Sequence, residues 1–195
     1  MSNQSDAKNK LRKEFRADRA LRFTEESWLH VAQTSEFQSA QMIATYIAYE
    51  YEPRTDDLNE ELLAAGKVLV LPRMLPDKDL EWVQWSGSTH RLRKNGKVLE
   101  PIGDAMADES QIDCVNVPSL RVDRSGTRMG QGGGSYDRAL ARLSAWKIGL
   151  IHAGELSSEL LPRQEHDQKL NAAATPTLIT RCYPEHRVML STCCT

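Results

Sequence analysis

The period of the hydrophobic pattern changes several times along the chain, and each change marks an element. Leu11, Phe15 and Leu21 form a thin apolar stripe at helical spacing, with Lys8, Arg12, Arg16 and Arg19 crowding the other faces. A helix is therefore expected from about Lys8 to Arg22. A second is expected to begin after Thr24, where Glu25 and Glu26 suit the positive N-terminal end of a helix. Met42 to Tyr49 is an apolar, partly β-branched run of buried-strand length. Thr55 is placed to cap a helix that carries Leu58, Leu62 and Leu63 and ends at Gly66. Lys67 to Leu71 reads as a strand stopped by Pro72. Strand, helix and strand over this distance form a βαβ unit, which sets its two strands parallel.

Farther on, Leu80 to Trp85 alternates as a strand does, and Asn95-Gly96 signals a turn before Lys97-Val98-Leu99. This stretch is expected to be an antiparallel excursion. A second βαβ unit follows, with a strand from Ile112 to Val117, a helix from about Ser135 to Leu143 and a strand from Trp146 to Ile151. A polar loop then leads to a last strand, Pro176 to Thr180. These elements predict one domain over residues 1–195: a three-layer α/β/α sandwich with a mainly parallel, Rossmann-like sheet and a small antiparallel excursion.

Composition narrows the possible functions. The chain has 195 residues, enough for one substantial core, and its 27% charged and 40% hydrophobic residues are an ordinary globular mixture. A net charge of −2 gives no electrostatic case for a nucleic-acid partner. No apolar run approaches the roughly 18 residues of a membrane span, and the first residues lack the apolar centre of a signal peptide. Small molecules in the cytoplasm are the expected partners, with a monomer as the expected state. Cys114, Cys182, Cys193 and Cys194 lack C-x-x-C spacing, so they are read as reduced and structural.

The chemistry is expected in Arg128-Met129-Gly130-Gln131-Gly132-Gly133-Gly134-Ser135-Tyr136-Asp137-Arg138. Four glycines in five positions leave few Cβ atoms between the backbone N–H groups and a ligand. The segment leads into a helix, so its amides can converge on a phosphate. Arg128 and Arg138 can donate to phosphate oxygens, and Asp137 can hold Mg²⁺ against them. The alternative is a glycine-rich surface loop. The sequence is neither a Walker A motif nor G-x-G-x-x-G, so on its own it does not name a nucleotide.

Gly126 to Arg138 resembles the R-[LM]-G-x-G-x-G-[YF]-Y-D-R signature of the 5-formyltetrahydrofolate cyclo-ligase family. Four shorter matches follow the family order. Lys8 to Arg12 resembles its K-x-x-L-R, Glu52-Pro53-Arg54-Thr55 its E-x-x-T, Leu71-Pro72-Arg73 its L-P-R, and His166-Asp167 its late H-D pair. The resemblance implies an ATP site of Lys8, Arg12, Arg128, Met129, Gly130, Gln131, Gly132, Gly133, Gly134, Ser135, Tyr136 and Asp137. It implies a folate site of Glu52, Arg73 and Tyr136, and a Mg²⁺ site of Asp137 and Asp167. Arg128 and Tyr136 would be the catalytic residues.

Each of these residues also has an ordinary structural use. Lys8 and Arg12 are spaced as on a solvated basic face, Glu52 as a turn carboxylate and Asp167 as a turn cap. His166 is as well read as structural as catalytic. Trp82 and Trp85 are read as strand packing rather than as a pterin stack.

The implied reaction turns 5-formyltetrahydrofolate into 5,10-methenyltetrahydrofolate while ATP becomes ADP and phosphate. Against the family pattern, Ser135 stands where an aromatic residue is common, Gly133 where some members have Lys, and Asn171 where Asp is common. Leu120-Arg121-Val122-Asp123 replaces a more apolar sequence. Ser135 and Arg121 define the alternative, a diverged member that binds ATP but acts on another substrate or only binds nucleotide.

Overall fold

The structure is a computed structural model and describes residues 2–183. Helix α1 spans Ser2–Arg22, and after a 3₁₀ turn at Leu29–Gln33 come α2 (Ser35–Ser39), β1 (Met42–Ala44), α3 (Asp56–Ala64), β2 (Val68–Met74) and β3 (Leu80–Trp85). A hairpin, β4 (Leu92–Asn95) and β5 (Val98–Pro101), precedes β6 (Cys114–Pro118), β7 (Arg121–Asp123), β8 (Arg128–Met129) and α4 (Ser135–Ala141). The described chain closes with β9 (Trp146–Leu150), β10 (Leu156–Ser157), β11 (Ala172–Ala174) and β12 (Ile179–Arg181).

The central sheet has the order β12-β11-β9-β6-β1-β2-β3. Its five inner strands are parallel, and β3 and β12 close the edges antiparallel. Strand pleating sends alternate side chains to opposite faces, which builds two cores. Ile43, Leu69, Leu71, Cys114 and Ile148 pack with Phe37 of α2 and Leu58 and Leu62 of α3. Ala44, Val70, Val115 and Val117 pack with Ala139 and Leu140 of α4. Each fully buried leucine contributes roughly 1.5–3 kcal/mol relative to exposure. The expected three layers are present, with a mainly parallel sheet between helices.

Several boundaries differ from the sequence reading. No helix begins directly after Thr24. Trp28 is buried, and its Nε1 donates to the Ala174 carbonyl at 3.1 Å, which draws this segment onto the sheet. The helical turn starts later, and α2 is capped by the Thr34 hydroxyl, which accepts from the Phe37 N–H at 3.4 Å. Strand β1 ends at Ala44 rather than running to Tyr49. The Tyr46 carbonyl accepts from Thr55 Oγ1 at 2.6 Å and from Asn59 Nδ2 at 3.2 Å, so it is lost to a sheet ladder. Thr55 thus fastens the loop after β1 and makes no side-chain cap on α3.

Pro72 does not stop β2, which continues to Met74. On the β1 side of β2, the Val68 N–H donates to the Gln41 carbonyl and the Val70 carbonyl accepts from the Thr45 N–H. Alternation then turns the nitrogen of Pro72 toward that same side, beyond the end of β1, where no ladder bond is lost. Strand β6 is shifted to Cys114–Pro118, and the last strand to Ile179–Arg181. The polar loop before it contains an unforeseen strand, β11, whose three alanines are almost wholly buried between neighbours.

Burial pushes the Cys114 thiol up to about 12 and the Cys182 thiol up to about 11, as expected of unreactive sulfur. Both are free, and Cys193 and Cys194 lie outside the described residues. Among the described residues, no helix is long and apolar enough to cross a membrane.

Candidate functional site

The sheet order reverses between β1 and β6: from β1 the chain moves to β2 on one side, and β6 lies on the other. In open α/β sheets such a reversal leaves a crevice at the carboxyl ends of the strands. A cavity of about 580 Å³ occupies that position, reached by Tyr46 after β1, Pro72 and Met74 of β2, and Pro118 at the end of β6. The hairpin β4–β5 supplies a further wall through Asn95, Val98, Leu99 and Glu100.

Helix α1 closes one side with its basic face. Lys8 is buried and pairs with Asp167, while its ammonium also reaches Gln164 Oε1 at 3.4 Å. Arg12 Nε donates to the Gly130 carbonyl at 3.2 Å. Arg16 donates to the Gln131 side-chain and backbone oxygens, each at 2.9 Å. Arg19 is buried against Glu155 at 2.6 Å and donates to the Ser119 carbonyl. Each of the four cations spaced along α1 therefore has a partner elsewhere in the chain, with Lys8 and Arg19 buried and Arg16 exposed.

The glycine-rich loop runs between β8 and α4. Asp123 sets the turn before it: Oδ1 accepts from the Ser125 and Thr127 N–H groups at 2.8 and 3.0 Å, and Oδ2 from the Leu161 N–H at 2.8 Å. Within the loop, Gly132 has φ of 105°, and a Cβ there would lie 3.3 Å from Arg12 Cδ. A Cβ at Gly130 would lie 2.6 Å from Arg128 Nη1. Glycine at these two positions lets the backbone pass between two guanidinium groups. Gly130 to Asp137 all line the cavity, and α4 begins at Ser135.

Arg128 is buried at 3.1 Å from Asp137 Oδ1 and 5.7 Å from the centre of the Tyr136 ring, while its Nε has no hydrogen-bond partner among the described residues. Tyr136 also lies edge-on to Trp82, with centroids 6.4 Å apart, and its hydroxyl is likewise unpartnered. Burial, then the charge of Glu52, pushes the Tyr136 hydroxyl well above its ordinary value. Burial also pushes the Glu52 carboxyl up to about 7, against a backbone hydrogen bond at Tyr49, the charge of Arg19 and a hydrogen bond from Gln131. For Asp167, burial acts upward, but the Gln164 N–H and Lys8 outweigh it and hold the carboxyl below its ordinary value.

The cavity gathers Lys8, Arg12, Glu52, Arg128, Tyr136, Asp137 and Asp167 from four separate stretches of chain. Arg73 and Met129 do not line it. Arg73 Nε donates to Glu81 and its Nη1 to the Gly103 carbonyl, both at 2.7 Å, and the Met129 side chain is buried beneath the loop. Arg121 also lies elsewhere, paired with Asp18 at 2.6 Å and 4.8 Å over the Phe15 ring. Tyr46, Tyr49, Asn95, Glu100 and Gln164 line the cavity and were not singled out in the sequence. Only Gln164 had a signal, its closeness to His166-Asp167.

Asp137 Oδ1 accepts from the N–H of Gln168 at 3.2 Å, which ties Asp137 to the backbone next to Asp167, and both aspartates line the cavity. Among the described residues, no group of three or more His, Cys, Asp or Glu is gathered for a metal. Two carboxylates fit the common mode of Mg²⁺, which takes one or two from protein and its other oxygens from phosphate and water.

A mainly parallel sheet whose switch point carries a cavity bearing several charged side chains defines an α/β enzyme with its site at the carboxyl ends of the strands. The model of the 5-formyltetrahydrofolate cyclo-ligase family matches residues 5–176, and the chain belongs to that family of ligase-type enzymes. It is 31% identical to the 5-formyltetrahydrofolate cyclo-ligase of Escherichia coli (strain K12) over 147 residues, covering 72% of this chain and 80% of the relative. The cyclo-ligase of Mycolicibacterium smegmatis is also 31% identical over 147 residues, covering 71% and 75%. The NMR structure of the Aquifex aeolicus 5,10-methenyltetrahydrofolate synthetase superposes with a TM-score of 0.76 at 25% identity, covering 94% of this chain and 98% of that one.

Proposed function

We propose that this enzyme couples the conversion of ATP to ADP and phosphate to the cyclisation of 5-formyltetrahydrofolate into 5,10-methenyltetrahydrofolate. The observation that carries this reading is one cavity lined by the glycine loop, three cations, the aspartates Asp137 and Asp167, and, apart from these, Glu52 and Tyr136. A formamide oxygen is a poor leaving group. Moving the γ-phosphoryl of ATP onto it makes a good one, which N10 of the same molecule then displaces as the ring closes. Such chemistry asks the protein mainly for positioning and charge neutralisation.

Lys8, Arg12, Arg128 and the amides of Gly130, Gln131, Gly132, Gly133 and Gly134 would hold the triphosphate. The free Nε of Arg128 leaves a donor to follow the transferred group. Ser135 and Tyr136 would sit where the two substrates meet, and Glu52 would face the pterin side. Asp137 and Asp167 would hold Mg²⁺, which neutralises phosphate charge. A cytoplasmic monomer is in keeping with ATP as co-substrate and with a cavity completed within one chain. Arg73 is left out of the substrate site because its guanidinium is already engaged. With Arg121 outside the cavity, the diverged-substrate reading rests on Ser135 alone.

Purified protein given Mg²⁺, ATP and 5-formyltetrahydrofolate should develop methenyl absorbance, and none when ATP is withheld. ATP-dependent ADP release without that absorbance would reject the substrate and favour the diverged reading. Asp137→Asn should raise the Mg²⁺ concentration for half-maximal rate, because an amide oxygen brings no net charge to the cation. Asp167→Asn should do so more mildly, since it also frees Lys8 to meet phosphate. Unaltered Mg²⁺ dependence in both variants would put the metal elsewhere.

A further inference from the structure

Four carboxylates line the cavity, and Glu52 differs from the others. Asp137 is paired with Arg128 and Asp167 with Lys8. Glu100 accepts from the Met74 N–H and the Asn95 amide, each at 3.0 Å, and faces Arg93 at 3.8 Å. Glu52 is buried with no ion pair among the described residues. Its cationic neighbour Arg19 is neutralised by Glu155.

Gln131 lies beside Glu52 in the cavity wall, and its Oε1 accepts from Arg16 at 2.9 Å, which fixes the direction of that amide. The groups facing Glu52 are Tyr46 and Tyr136 across the cavity, Tyr49 and Glu50 of its own loop, Arg16 and Arg19 of α1, and Gln131.

A second cavity, of about 140 Å³, shares Tyr49, Glu52 and Gln131 with the first and is otherwise lined by Arg16, Arg19, Glu50, Tyr51 and Leu120. Glu52 thus stands in the wall between two spaces, and the smaller has room for several water molecules. Arginine, glutamate and tyrosine side chains line it, and it borders exposed Arg16 and Tyr51, which gives a proton a way to solvent.

Ring closure leaves one proton to place. As N10 attacks the activated formyl carbon, the N10–C bond forms, the C–O bond breaks, and phosphate leaves with that electron pair. N10 must then release its proton to give the methenyl cation. Asp137 and Asp167 are engaged at the phosphate end. We propose that Glu52 is the general base that accepts the N10 proton, and that the smaller cavity is its route to water. This rests on the reaction assigned above. The elevated carboxyl, near neutrality, suits a group that must both take a proton and give it up.

Wild type, Glu52→Gln and Glu52→Asp are compared across the neutral pH range, following methenyl absorbance and ADP release in the same reactions. In wild type, kcat/KM should rise with pH through about 7, as Glu52 ionises. Glu52→Gln should lose that rise, with kcat down on the order of 100-fold or more and KM for the folate within about threefold. In its first turnover ADP should appear ahead of methenyl product, because phosphoryl transfer does not need the base. Glu52→Asp should retain the pH dependence at reduced rate.

A glutamine variant with normal kcat and a KM raised about tenfold would reduce Glu52 to a binding residue and overturn the proposal. So would equal inactivity of the aspartate and glutamine variants. Wild type without methenyl product would remove the assigned reaction and this step with it. Active wild type with an unaffected glutamine variant would remove this step alone.

Discussion

Arg128→Ala is expected to lower kcat/KM for ATP by about ten- to a hundred-fold while leaving folate affinity nearly unaltered. Arg128 is buried beside the loop, fixed between Asp137 at 3.1 Å and the Tyr136 ring at 5.7 Å, with Nε unused. A hydrogen bond to a charged group contributes about 1.5–3 kcal/mol, and about 1.4 kcal/mol is tenfold in a binding or rate constant. The same truncation leaves Asp137 without its cation, so part of the loss could reflect a disturbed loop. Arg128→Lys separates the two causes. It returns a charge near Asp137 but no planar fork, and should recover only a fraction of the rate. Initial rates against ATP, with thermal melting as the control for folding, provide the measurement. A well-folded alanine variant with normal ATP dependence would remove Arg128 from the phosphate site.

The parts of this molecule that the sequence made legible are those whose own chemistry dictates them. Val68 to Leu71 can hardly be anything but a buried strand, and the glycine loop announces itself by composition. The misreadings arise where tertiary contacts decide. Ala172–Ala174 has no β-branched residue, yet it is a strand because β9 and β12 pair with it on both sides and its side chains are buried in the two cores. Thr45 to Tyr49 has the composition of a strand, yet it leaves the sheet because Thr55 and Asn59 take the Tyr46 carbonyl.

The same departure creates part of the site, since it turns Tyr46 and Tyr49 into cavity walls. For Lys8 and Arg12 a solvated basic face was the alternative to an ATP site, and a helix surface shows the spacing of these two and of Arg16 and Arg19 but not their partners. Only the folded chain reveals that Asp167, Gly130, Gln131 and Glu155 receive them. The hairpin wall at Asn95 to Glu100 carries no motif chemistry at all, and its role comes from where β3 delivers it.

Glu52→Gln should also stabilise the protein, in a way that depends on pH. Burial lifts the Glu52 carboxyl from an ordinary 4.5 to about 7 in the folded protein. Between those values the folded state keeps a proton that the unfolded chain has released. Raising pH across this window therefore favours unfolding. The contribution of the protonated carboxyl is intact below 4.5, declines as pH rises, and is lost above about 7. A shift of this size corresponds to about 3 kcal/mol.

Glutamine cannot ionise, so the variant should match wild type under acid conditions and exceed it at mildly alkaline pH. For a chain of this length, about 3 kcal/mol corresponds to roughly 6–12 °C in melting temperature. Melting curves of both proteins at the two ends of the window decide it. Equal melting temperatures at alkaline pH would mean that the ionised carboxylate is well solvated or paired, which would also weaken its case as a base. A variant that is more stable and catalytically poor would show that the buried carboxyl is kept for chemistry rather than for folding.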